Sequence, residues 1–207
     1  LSDAQRAFVK AAGFEAIAGR GLVLAGPDGA IDKVVFGMGD SGDGAAAPLE
    51  LGGLVATLPA GDYRIDPAST GIALGKLSRE ASLGLHALAF LIGGYRFDRY
   101  RPSKTDASGK LARLVPPDGI DLLRVVTLAE AVCSGRDLIN TPAADMGPAE
   151  IEATARELAG RHGAEIRSVI GDDLISENLP MIHAVGRASP RPPRLVDLTW
   201  GDKAAPR

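Results

Sequence analysis

The segment Asn140-Thr141-Pro142-Ala143-Ala144-Asp145-Met146-Gly147-Pro148 contains two prolines that do opposite things. Pro142 pushes Thr141 out of the α region and so stops a helix arriving from the amino side. Pro148 stands where a helix can begin, because the first helical position needs no N–H donor. On the amino side, after Pro116-Pro117, Asp118 is placed to cap a long helix running to about Leu138. Its apolar residues Ile120, Leu123, Val126, Ala129 and Val132 recur by threes and are expected along one side. On the carboxyl side the pattern predicts a helix over 148–161 ending at His162-Gly163, a strand over 165–170 and a short helix from near Asp172. Further strands are predicted over 181–185 and 195–200. Helix and strand therefore alternate, which is the pattern of an α/β fold with a sheet covered by helices. No helix follows the last strand, so the alternation is expected to continue past Arg207.

The chain upstream reads as a separate part. Ala4, Ala7, Phe8 and Ala11 recur at helical spacing and end at Gly13. Leu22-Val23-Leu24 and Lys33-Val34-Val35-Phe36 flank the turn signal Gly26-Pro27-Asp28-Gly29, which predicts a hairpin. A glycine-rich loop, Gly37-Met38-Gly39-Asp40-Ser41-Gly42-Asp43-Gly44, follows. A short helix is expected over 50–58, and strand with turns over 63–74. Ser78 is a good N-cap, and Leu83, Ala87, Phe90 and Leu91 follow at helical spacing to Gly93-Gly94. The polar run from Arg101 to Lys110 is the best domain boundary in the chain. Three divisions are expected: an amino-terminal α/β domain over 1–110, a linker and linking helix over 111–140, and the start of a second domain over 141–207.

Composition narrows the functional classes. With 207 residues, 45% hydrophobic and 24% charged, the chain can bury a sizeable core. The net charge is −3 and no basic stripe stands out, so a nucleic-acid groove is not expected. The apolar run from Leu83 to Tyr95 is interrupted by His86, Gly93 and Gly94, too short for a membrane span. The single cysteine, Cys133, allows no internal disulfide and suits a reducing compartment, so a cytoplasmic location is expected. The chain starts at Leu1 rather than Met and lacks a signal-peptide pattern, which suggests a processed or cropped amino end.

Several residue groups are candidates for chemistry. Gly37-x-Gly39-x-x-Gly42 directly follows a predicted strand, as the glycine turn of a dinucleotide site would. The second half of that pattern is weak, since Asp62 precedes Tyr63-Arg64 instead of closing a strand; a glycine-rich surface loop is the other reading. His86, His162 and His183 lie far apart without metal-ligand spacing. Asp172-Asp173 follows Gly171 and reads as a helix start. Cys133 sits inside the long helix, where a buried structural thiol is expected. Ser189 has no nucleophile-elbow frame. Arg187, Arg191 and Arg194, interleaved with Pro190, Pro192 and Pro193, read as a solvated loop with the option of touching an anion or a neighbouring subunit. Together these residues make no complete active site.

The string Gly135-Arg136-Asp137-Leu138-Ile139-Asn140-Thr141-Pro142-Ala143, followed by Gly147-Pro148, resembles the domain junction of the leucyl aminopeptidase family, peptidase family M17. The resemblance continues through Glu165 to Val169, through Ala184-Val185-Gly186-Arg187-Ala188-Ser189 and through Pro193-Arg194-Leu195-Val196-Asp197-Leu198-Thr199-Trp200. Upstream, Gly94-Tyr95-Arg96-Phe97-Asp98-Arg99-Tyr100 and Val34-Val35-Phe36-Gly37-Met38-Gly39 are similar to the family's corresponding segments. Gly147 stands where a threonine is usual, and Ala188 where glycine is usual. The resemblance implies a macro-domain-like first domain, a linking helix, a homo-hexamer and hydrolysis of amino-terminal, leucine-like residues from peptides. It also implies two divalent ions, Mn²⁺ or Zn²⁺, activating water. The family's metal-binding and catalytic signatures would lie beyond Arg207, so no catalytic or metal residue is assigned to this chain, and residues 1–207 alone are expected to be inactive. The competing readings are a module binding a nucleotide or an ADP-ribose-like ligand on the Gly37 to Gly44 loop, and a purely structural role for 1–110 in assembly.

Overall fold

A computed structural model describes residues 1–39, 49–66, 68, 77–101, 111–202 and 204–205. The polar run 102–110, most of 67–76 and residues 40–48, which include the end of the glycine-rich loop, lie outside the described residues. The chain divides into two compact units, Leu1–Ser134 and Gly135–Arg207.

In the first unit, helix α1 (Asp3–Ala11) is capped by Ser2, whose hydroxyl accepts the Gln5 N–H while the Gln5 side chain accepts the Ser2 N–H. Its inward residue is Gln5 and not the alanines and Phe8 of the sequence pattern; Phe8 is exposed. The Gln5 amide donates to the Asp32 carboxylate at 2.7 Å and to the Ala25 carbonyl at 3.4 Å, so a polar contact docks the helix on the following hairpin. The predicted hairpin is present. Strands β1 (Gly21–Ala25) and β2 (Ile31–Phe36) pair antiparallel, with Leu22 opposite Val35 and Leu24 fully buried. Gly29 takes the left-handed conformation, φ 79°, that closes the turn.

The expected helix over 50–58 shrinks to one turn, α2 (Gly52–Val55). Strand β3 (Gly61–Tyr63) meets the expected 63–74 strand region at Tyr63 alone among the described residues, and Arg64 to Asp66 carry no ladder. Helix α3 (Arg79–Gly93) starts at Ser78 as predicted, its hydroxyl accepting the Ala81 N–H at 3.2 Å. It buries Ser82, Leu83, His86, Ala87, Ala89, Phe90 and Ile92. It also lies within the crossover to β4 (Ala112–Leu114), which pairs parallel with β3.

Helix α4 (Leu122–Asn140) begins later than predicted. Asp118-Gly119 is a turn with Gly119 at φ 80°, and the cap is Asp121, whose carboxylate accepts the Arg124 N–H at 3.0 Å. The expected stripe by threes does not form the buried side. At about 100° per residue, a step of three falls 60° short of a full turn, so a series of such steps winds around the helix. Leu123 is accordingly exposed; of the expected series Ala129 is buried, together with Val125 four residues before it, and Val132 stays 38% exposed. Cys133 continues that line and is half-buried rather than enclosed.

In the second unit, α5 (Pro148–His162) starts at Pro148 and ends at Gly163, whose φ of 67° forms a left-handed cap. Strand β5 (Glu165–Ile170) pairs antiparallel with β6 (Arg194–Thr199), from Glu165 opposite Thr199 to Ile170 opposite Arg194. Between them lie α6 (Asp173–Ser176) and α7 (Pro180–Gly186), the latter occupying the region predicted as a 181–185 strand. Asn178 at φ 59° and the Leu179 N–H bonded to the Leu174 carbonyl turn the chain, and Pro180 then sits at a helix start. A short apolar run has no period of its own, so such punctuation decides its type.

The α2–α3 contact sets a size limit. A Cβ on Gly93 would overlap the Gly52 carbonyl, and one on Gly52 would stand 2.7 Å from the Ala89 carbonyl oxygen. Gly84, in the same helix α3, has room, with the nearest atom 3.8 Å away. Gly84→Ala is expected to raise stability by about 0.5–1 kcal/mol through helix propensity, whereas Gly93→Ala is expected to lower it by about 1–3 kcal/mol through overpacking. Chemical unfolding of the two variants checks the opposite signs.

Candidate functional site

A polar cluster that joins three elements of the second unit is built on α5. Glu152 and Arg156 are four residues apart and share one helix face. The Arg156 guanidinium donates to Glu152 Oε1, through Nε at 2.8 Å and Nη2 at 2.5 Å, and to the Ser168 hydroxyl of β5 at 3.1 Å. From the first residue of β6, Arg194 Nη1 donates to Glu152 Oε2. The Glu152 side chain is only 7% exposed and that of Arg194 13%, so this is a buried pair. Hydrogen bonding from Ser168, then the Arg156 and Arg194 guanidiniums, lowers the Glu152 pKa from 4.5 to about 2, against the opposing effect of burial. Arg194 Nε is buried without a hydrogen-bond partner among the described residues. The cluster carries charge without an open coordination position, and its chemistry is to hold α5 against both strands.

Next to it, Glu150 Oε2 accepts the Gly147 N–H at 2.9 Å, and hydrogen bonds from its own N–H and from Gly147 lower the Glu150 pKa. Arg191 donates to the carbonyls of Ala143, at 3.0 Å, and Ala144. Arg187, Arg191 and Arg194, expected together in a solvated loop with the option of an anion or a neighbouring subunit, are separated, because Arg194 enters the buried pair and Arg191 reaches the preceding turn. Glu150, Glu152, Arg156 and Ser168 were not singled out at all. The four-residue spacing of Glu152 and Arg156 was the available signal, but it looks the same on a solvated helix face.

The remaining candidates have structural occupations. Gly37 and Gly39 donate their N–H groups to the carbonyls of Arg20, at 2.8 Å, and Ala16, at 2.9 Å. A Cβ on Gly37 would overlap the Ile17 carbonyl, and Gly39 has φ 78°. These glycines admit a close backbone neighbour and are not held open toward a pyrophosphate; Asp40 to Gly44 lie outside the described residues. Asp62 pairs with Arg113 at 2.8 Å. His86 is buried in α3. His162 lines an open groove of about 290 Å³ with Leu158, Ala164, Leu198 and Trp200, and its carbonyl accepts the Trp200 indole N–H at 3.1 Å. His183 Nε2 lies 3.1 Å from Asp172 Oδ1. Asp172 thus makes no side-chain cap, although it precedes α6 as expected of a helix start. The Ser189 hydroxyl accepts the Arg191 N–H at 3.1 Å, as in a turn. Among the described residues no group of three or more His, Cys, Asp or Glu is arranged to hold a metal ion, so these residues do not fit a divalent-ion centre. No helix among them is long and apolar enough to cross a membrane.

Comparison with known proteins gives a consistent result. Residues 1–117 match the model of the M17 aminopeptidase N-terminal domain, and residues 134–207 match the catalytic domain of the cytosol aminopeptidase family. A probable cytosol aminopeptidase of Rhizobium etli is 30% identical over 96% of this chain and 42% of its own length. The crystal structure of the Coxiella burnetii cytosol aminopeptidase is similar at a TM-score of 0.81 and 33% identity, over the whole of this chain and 41% of that one. The bottromycin maturation enzyme BotP, solved in complex with Mn, is similar at a TM-score of 0.75 and 29% identity, over 95% of this chain and 42% of that one. The chain spans about two fifths of the length of these relatives.

Because the Glu152 pKa is depressed in the fold, its network contributes fully above pH 4.5 and loses that contribution as the pH falls toward 2. Glu152→Gln is expected to lower the unfolding midpoint at neutral pH, since Arg194 is then left buried without its counter-charge. It is also expected to reduce the pH dependence of stability across that window. Chemical unfolding at pH 7 and at a series of lower pH values, followed by fluorescence of Trp200, the single tryptophan of the chain, reads both effects.

Proposed function

Since the chain belongs to the cytosol aminopeptidase family, peptidase family M17, we propose that its protein is a metal-dependent aminopeptidase that removes amino-terminal residues, leucine-like ones preferentially, from peptides. The observation that carries this reading is the order of the two matches: an aminopeptidase amino-terminal domain over 1–117, then part of the catalytic domain over 134–207. The similarity to the Coxiella burnetii enzyme over the whole chain supports it. Within the proposal, residues 1–110 form the macro-domain-like amino-terminal domain, 111–140 the linker and linking helix, and 141–207 the opening of the catalytic domain. The assembly is a homo-hexamer in the cytoplasm.

Divalent ions suit the proposed chemistry, and BotP is a relative solved with Mn. Two such ions, Mn²⁺ or Zn²⁺, would supply Lewis-acid polarisation of an amide carbonyl and a more acidic bound water. The proposal places their ligands, as the family resemblance implies, in the part of the catalytic domain beyond Arg207. What this chain contributes is support. Glu152, Arg156, Ser168 and Arg194 hold α5 on β5 and β6, and a catalytic constellation needs scaffold elements fixed in that way.

Release of leucine from leucinamide is the test. A polypeptide carrying this sequence and extended to the length of the relatives is expected to hydrolyse it, to lose activity on chelation and to regain it with Mn²⁺. Residues 1–207 alone are expected to release none. No metal-dependent hydrolysis by the extended polypeptide overturns the aminopeptidase reading, and hydrolysis by residues 1–207 alone overturns the placement of the ligands.

A further inference from the structure

Gly147 precedes α5 at φ −101° and ψ −170°, an extended conformation open to any residue, so its backbone does not call for glycine. As an N-cap, serine, threonine, aspartate or asparagine would add a side-chain acceptor that glycine lacks. A side chain at 147 would instead have to displace its neighbours, which are the side chains of Arg191 and Glu150. A Cβ at Gly147 would overlap Arg191 Nη1, stand 3.0 Å from Arg191 Cδ and stand 3.0 Å from Glu150 Oε2. The arginine passing over Gly147 is the one that donates to the carbonyls of Ala143 and Ala144 in the turn leading to α5. A guanidinium presents several donors in one plane, which suits two neighbouring carbonyls.

The arm that carries Arg191 is stiff. Pro190, Pro192 and Pro193 flank it, and the Arg191 N–H is bonded to the Ser189 hydroxyl at 3.1 Å. At its base, a Cβ on Gly186 would overlap the Pro193 ring, so a second glycine admits the arm against α7. A restrained arm loses less conformational entropy when its side chain is placed than a free loop would.

We propose that Arg191 is a strap across the 142–147 turn, and that position 147 is glycine in order to admit it. Arg191 is a positioning residue: it holds the Ala143 and Ala144 carbonyls, and through them the turn from which α5 starts. Gly147 and Arg191 therefore act as one unit, and a side chain at 147 displaces the strap. This inference does not rest on the proposed peptidase activity.

Amide hydrogen exchange of the intact protein, read by peptide mass spectrometry, tests it. Arg191→Ala is expected to speed exchange severalfold in 142–148 and to leave β5 unchanged, with Arg191→Lys intermediate. Gly147→Thr is expected to produce the same local acceleration, and the double variant to exchange no faster than the faster single one. Gly147→Ala introduces the same Cβ if the threonine variant does not fold. Unchanged exchange in Arg191→Ala, equal acceleration in β5, or a double variant showing the product of the two single effects overturns the strap.

Discussion

A carboxylate leaves water only in the company of partners, and at Glu152 that constraint organises the second unit. The side chain is nearly enclosed, with Arg156 from its own helix on one oxygen and Arg194 from β6 on the other. Ser168 of β5 joins through Arg156. Removing Glu152 leaves the nearly enclosed Arg194 without its counter-charge, which costs more than the pair itself contributes. The pair ties the first residue of β6 to α5, beside the antiparallel ladder that β6 makes with β5.

The first unit solves the same problem with smaller means. Gln5 is the buried residue of α1, and its amide reaches Asp32 and the Ala25 carbonyl. Elsewhere close backbone approach replaces side-chain contact, at Gly52 against Gly93 and at Gly37 against the segment from Ala16 to Arg20. Glycines that invite a ligand reading in sequence are, in these described positions, places where two stretches of backbone pass within contact distance. The absence of a side chain serves both purposes equally, so the residue type alone cannot distinguish them.

Much of the architecture was legible because its signals are local. Ser78 capping α3, the turn at Gly26 to Gly29, Pro148 opening α5 and Gly163 closing it are each decided by one residue's backbone preference or hydrogen bond. The family resemblance rested on strings such as Asn140-Thr141-Pro142, whose order survives without any knowledge of contacts. What failed depended on surroundings. Asp121 caps α4 although Asp118 offers the same chemistry, because Gly119 turns the chain first. Residues 181–185 form a helix because Asn178 and Pro180 redirect the backbone before them.

The sequence by itself determined the α/β class, the main helix boundaries, the hairpin and membership of an aminopeptidase family, since these depend on neighbours in the chain or on the order of motifs. Tertiary structure alone decided which polar residues would be buried and what they would meet. Glu152 and Arg194 are 42 residues apart, and Arg191 is 48 from Ala143. No local preference distinguishes a solvated arginine from one enclosed by a distant carboxylate or laid across a turn. Burial and partner arise only when the chain has folded back on itself, and charge, once withdrawn from water, must then be answered by whatever lies within hydrogen-bond reach.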